Sequence, residues 1–146
     1  MKKTVLVLLA LSIGYGAWSQ EKKSPIDGVY KLAYEYEVSG DQSTLIYPDE
    51  NQGSELKIWS EGTFTLVGVF VQGSNYTDNF GAGTFTLEGN KYEETVLFHS
   101  APQYMGEVVR LRLEMKGDTI TQWWPVDDNC EPIKSHYYME KWVRLQ

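Results

Sequence analysis

The chain has 146 residues, with 13 basic side chains against 20 acidic ones, a formal net charge of −7, 14% aromatic residues and a single cysteine, Cys130. Such an acid excess meets nucleic acid with repulsion instead of a counterion-release gain, which excludes that partner class and disfavours anionic membrane surfaces. One cysteine excludes an internal disulfide, so stability has to come from apolar burial, and the length fits one domain.

Residues 1–19 have the layout of a secretory signal. Lys2 and Lys3 supply a positive start, Val5 to Leu11 an apolar centre, and Ala17-x-Ser19 the small residues that a signal peptidase inspects, so cleavage is expected before Gln20. The apolar run is shorter than the roughly 20 residues a bilayer demands, so no stable membrane insertion is expected after signal removal. No cysteine stands at the cleavage site for lipid attachment, and the expected location is secreted or periplasmic. The mature domain would span residues 20–146, with 11 basic and 20 acidic side chains and a net charge of −9.

From Tyr30 onward the apolar pattern alternates, the period of half-buried strands. Tyr30, Leu32, Tyr34 and Tyr36 share one face of the first strand, with Lys31, Glu35 and Glu37 on the other. Ser39 to Ser54 reads as a polar loop, and Leu56 to Ser60 as the second strand before a Glu61-Gly62 turn. Thr63 to Val71 is the third strand and Gly83 to Leu87 the fourth. Tyr92 to His99, Val108 to Met115, Thr119 to Trp124 and Tyr138 to Leu145 complete a set of eight. Gly62-Thr63-Phe64-Thr65-Leu66 recurs as Gly83-Thr84-Phe85-Thr86-Leu87, which reads as two equivalent turn-to-strand entries of one meander. Eight strands with short sequential turns predict an all-β, antiparallel up-and-down barrel, which also removes exposed edges.

At the first strand, Asp27-Gly28-Val29-Tyr30-Lys31-Leu32 resembles the G-x-W-x-L opening of lipocalins and fatty-acid-binding proteins, with Tyr30 in place of tryptophan. At the far end, Glu140-Lys141-Trp142-Val143-Arg144-Leu145 resembles a last calycin strand. The resemblance implies a lipocalin-like barrel whose base is closed by Arg144 lying across Tyr30, and it points to the short lipocalin-like domains of secreted bacterial proteins. The two-helix lid of fatty-acid-binding proteins has no counterpart here, because the Ser39–Ser54 stretch lacks an amphipathic stripe.

A barrel of this size either holds one small ligand or is filled by its own side chains. On the first reading, Tyr34, Tyr36, Phe70, Trp124 and Trp142 line a pocket for a small hydrophobic or amphipathic molecule, and Arg144 is its polar anchor. On the second, the aromatics fill the core, Arg144 pairs with Glu140, and a protein partner binds through the loops. Trp123 and Trp124 must point to opposite faces, so one is expected to be exposed or covered by a partner. His99 and His136 share no metal-ligand spacing, and Asp127, Asn129 and Glu131 read as a solvated acidic loop, so no metal and no cofactor is expected. The acids that flank Cys130 argue against a reactive thiol. Glu93 and Glu94 point to opposite faces and cannot act together, with Arg110 or Arg112 the expected partner of Glu94, and a non-catalytic binding domain is favoured over an enzyme.

Overall fold

The computed structural model describes residues 23–49 and 52–146; the expected signal, residues 1–19, lies outside them. The strands are β1 (Gly28–Ser39), β2 (Gln42–Tyr47), β3 (Gln52–Ser60), β4 (Thr63–Gln72), β5 (Asn75–Glu88), β6 (Lys91–His99), β7 (Val108–Lys116), β8 (Thr119–Trp124) and β9 (Tyr137–Arg144). All ladders are antiparallel and follow chain order from β3 to β9, and β9 returns to pair with β1. The first half of β1 pairs with β3 and the second half with β2, so β2 and β3 share one place in the wall. The result is a closed eight-stranded up-and-down barrel of the lipocalin type. Among the described residues, no helix is long and apolar enough to cross a membrane.

Two stretches differ from the sequence reading. The expected loop Ser39–Ser54 contains all of β2 and the start of β3. Most of β2 is exposed or half-buried, so pairing with β1 organises it without a hydropathy pattern to announce it. The fourth predicted strand starts earlier, at Asn75, because the β4–β5 ladder continues outward past Phe70, which pairs with Thr77, and the exposed residues Asn75–Asp78 carry no apolar alternation to announce it. The repeated Gly-Thr-Phe-Thr-Leu segments lie side by side in opposite directions. Gly62 is in a turn, whereas Gly83 is in mid-strand opposite Phe64.

One end of the barrel is solid. Tyr30, Trp59, Tyr92, Ile120 and Trp142 are buried there. Trp59 meets Tyr30 edge-on at 5.1 Å and Tyr92 and Trp142 at 6.4 Å, and its indole N–H donates to the Tyr92 hydroxyl at 2.7 Å. Edge-to-face packing suits the quadrupoles of these rings, and the hydrogen bond satisfies a buried donor. Arg144 covers this end: its guanidinium lies 4.6 Å from the Tyr30 ring, and Nη1 donates to the Asp27 carbonyl at 2.7 Å. Cys130 is buried and unpaired, its thiol directed at the Leu111 carbonyl, and burial pushes its pKa up.

Candidate functional site

Above the solid end the barrel holds a cavity of about 330 Å³ that opens at the other end. This lies at the lower edge of the roughly 300–1,000 Å³ of small-molecule sites. On β5, Gly81 and Gly83 take the inward, buried positions, and β6 and the Phe64 and His99 rings close in where their side chains would stand. That strand reaches the cavity lining only through Asn79. Gly83 is required by close approach, since a Cβ there would collide with the Thr95 carbonyl oxygen and the Phe64 ring.

The cavity floor is a polar network set in aromatic rings. Lys57 on β3 forms an ion pair with Glu94 on β6 at 2.6 Å, and its Nζ lies 5.2–5.9 Å from the ring centres of Trp59, Phe64, Tyr92 and Trp142. Glu94 also accepts the Tyr92 hydroxyl at 2.8 Å. Lys57 donates to the Gln122 carbonyl oxygen at 3.3 Å, and the Gln122 amide donates to Glu140 at 2.7 Å. Glu140 further accepts the indole N–H groups of Trp124 and Trp142 at 2.8 and 2.9 Å.

Nearer the mouth stand Glu35 and Glu55. Asn79 donates to Oε2 of Glu55 at 2.7 Å, whereas no side-chain hydrogen bond reaches Glu35 among the described residues. Burial first, and then the charges of Glu140, Glu55 and Glu37, push the Glu35 carboxyl up to about 8. Burial also raises Glu55 to about 7, against the lowering effect of its bond from Asn79. His99 lines the same region, with burial lowering its pKa and its Nδ1 accepting the Ala101 N–H at 2.9 Å.

Of the residues singled out from sequence, Phe70, Trp124 and Trp142 line the cavity. Tyr34 and Tyr36 do not, and Tyr34 is 46% exposed. The cause is a bulge. Leu32 pairs with Trp142 but Tyr34 with Lys141, leaving Ala33 as an extra residue that exchanges the two faces of β1. Past the bulge Glu35 points inward. Arg144 is bound at the closed end and does not line the cavity, so it cannot anchor a ligand there. The expected Arg144–Glu140 pair is replaced by the three N–H donors to Glu140. Arg110 and Arg112 pair outside the barrel with Glu93 and with Glu114 and Glu131, leaving Glu94 to Lys57. Trp123 faces outward and is half-buried beside the Arg112 guanidinium at 5.9 Å.

The sequence reading missed four polar residues of the cavity, Glu35, Glu55, Lys57 and Gln122, and gave Glu140 the wrong partner. A signal for two of them was present in Glu55-x-Lys57-x-Trp59, which puts two charges on the face of a buried tryptophan. The chain shows no significant match to a protein-family model or to a curated protein.

Proposed function

We propose that this protein is a secreted, calycin-type barrel that holds one small amphipathic molecule in its interior without transforming it. The observation that carries this reading is the open cavity of about 330 Å³ above a solid, ring-packed base. A barrel needing only a core would be filled, because interiors pack to crystal-like density and empty volume costs stability. Here Phe70, Trp124 and Trp142 supply apolar wall, and polar groups are concentrated at a few points, the composition of a small-molecule site.

A protein partner at the open end is the second reading, supported by Leu97 and Phe98, which are 54% and 65% exposed. Tryptophan fluorescence titrations with neutral, anionic and cationic amphiphiles separate the two. Saturable binding by the wild type that is lost in Val109→Trp, a substitution that fills the cavity from β7, is the expected result. Silence with every amphiphile, with Val109→Trp and wild type alike, together with a dimer in gel filtration, would move the function to the exterior.

A further inference from the structure

The charges in the cavity are already committed in a way that determines which head group it can receive. Four carboxyl groups, Glu35, Glu55, Glu94 and Glu140, line it against one ammonium, Lys57. Lys57 is engaged by Glu94 and Gln122, and Arg144 is held at the closed end. Among the described residues, no free cation lines the cavity to receive a ligand carboxylate or phosphate. Such a group would instead meet acids, an unpaired charge in a partly desolvated site.

Among the described residues, the open hydrogen-bonding capacity nearest the mouth is concentrated on two carboxyl groups, Glu35 and Glu55. Glu140 is supplied with three N–H donors. Glu55 is only 4% exposed, yet among the described residues no hydrogen bond reaches its Oε1. Glu35, without a side-chain partner, is the register partner of Glu140 across the β1–β9 ladder that closes the barrel. Acids placed directly opposite each other are unfavourable unless something positive joins them. The described residues contain no group of three or more acidic, His or Cys side chains arranged to hold a metal ion. Beside the two open carboxyls, the wall is aromatic, with Phe70 and Trp124.

We propose that the cavity selects an organic amine, its ammonium held between Glu35 and Glu55 and its flat apolar body laid against Phe70 and Trp124. This deepens the small-molecule reading above and rests on it. An ammonium offers the N–H donors these oxygens lack, in charge-assisted bonds stronger than those a neutral hydroxyl makes.

Binding also moves a proton. Glu35 feels Glu140 from β9, Glu55 from β3 and Glu37 on its own strand; Tyr138 on β9 and Tyr47, the register partner of Glu35 on β2, are its other titratable neighbours, and Lys57, Glu94, His99 and Tyr104, of the 3-10 helix Pro102–Tyr104, line the same cavity. At pH 7 it is largely protonated, its carboxyl lying at about 8. An arriving ammonium favours the carboxylate, so the carboxyl O–H bond breaks, the ion pair forms, and the proton leaves to the buffer.

The test is calorimetric titration of the purified protein at pH 7 with tryptamine, indole-3-ethanol and indole-3-propionate, each in two buffers of different ionisation enthalpy. Tryptamine is expected to bind at least about tenfold more tightly than the alcohol, a difference of about 1.4 kcal/mol, with proton release, and the propionate more weakly than either. Glu35→Gln is expected to remove about tenfold of the tryptamine advantage and the larger part of the proton release, the remainder coming from Glu55, while leaving affinity for the alcohol within about threefold. Alcohol or propionate binding as tightly as tryptamine would overturn the amine assignment while the cavity reading stands. Equal weakening of all three ligands in Glu35→Gln would overturn it as well, by reducing Glu35 to a structural role. Failure of all three indoles, with Val109→Trp behaving as wild type across the wider amphiphile panel, would overturn both readings.

Discussion

Lys57 on β3 reaches across the barrel to Glu94 on β6, Nζ to Oε1 at 2.6 Å, with side chains only 6% and 10% exposed. The pair is the partition between the packed base and the cavity: rings surround the ammonium below, and Gln122 and Glu140 continue the polar network above. A charge this deep is tolerated only while its partner is present.

Removing one member of that pair should therefore cost more than removing both. Lys57→Met is expected to lose about 3–5 kcal/mol of stability, because it leaves Glu94 buried without its counter-charge. Adding Glu94→Gln, which retains an acceptor for the Tyr92 hydroxyl, should recover at least about 1 kcal/mol of that loss. Urea denaturation of the two variants measures the difference, and a double variant less stable than Lys57→Met would contradict the account.

Stability should fall as the pH rises through neutrality. The usual value for a glutamate is 4.5, whereas the folded chain holds Glu55 at about 7 and Glu35 at about 8. Between those limits the folded state binds protons that the unfolded state has released, so the slope of unfolding free energy against pH is negative. The penalty is absent below about 4.5 and complete above about 8. Glu35→Gln should flatten the slope and stabilise the protein at pH 9 by roughly 1–3 kcal/mol, each unit of pKa being worth about 1.4 kcal/mol before allowing for water at the mouth. Denaturation curves at pH 5, 7 and 9 provide the check; an unchanged slope in the variant would contradict the assignment.

The inward glycine of β5 leaves no room for a side chain. Gly83→Ala would push a methyl group against the Thr95 carbonyl oxygen and the Phe64 ring, so a loss of about 1–3 kcal/mol is expected. The thermal midpoint of this variant should fall by several degrees, and a midpoint equal to that of the wild type would show that β5 and β6 can separate without penalty.

Arg144 should matter for stability and not for ligand. Its guanidinium lies over Tyr30 and bonds the Asp27 carbonyl at the closed end. Arg144→Leu is expected to cost about 1–3 kcal/mol, from a cation–π contact and one charge-assisted hydrogen bond. Affinity for whichever amphiphile the wild type binds should stay within about twofold. A tenfold loss of affinity in a folded variant would return Arg144 to the binding site.

The sequence by itself determined the barrel and its closed end. Alternation is local, and the run from Val108 to Met115 carries it with no reference to other strands. Short turns between successive strands then leave the meander little choice, and the resemblance of the Gly28-Val29-Tyr30 opening and of the Arg144 strand to those of calycins implied a base closed by Arg144 over Tyr30, where the guanidinium lies. Glu55 and Lys57 were legible in principle, through their spacing from Trp59.

What only the tertiary structure decided is which face of β1 looks inward beyond Leu32, and with it the chemistry of the interior. One extra residue at Ala33 exchanges the Tyr34 and Tyr36 face for the Glu35 face, and a period of two carries no mark of such a slip. The meeting of Lys57 with Glu94 was equally hidden, because the two strands are separated by β4 and β5 in the wall and face each other only once the sheet closes. Closure brings together side chains that no local pattern relates, and in this protein those are the charged ones.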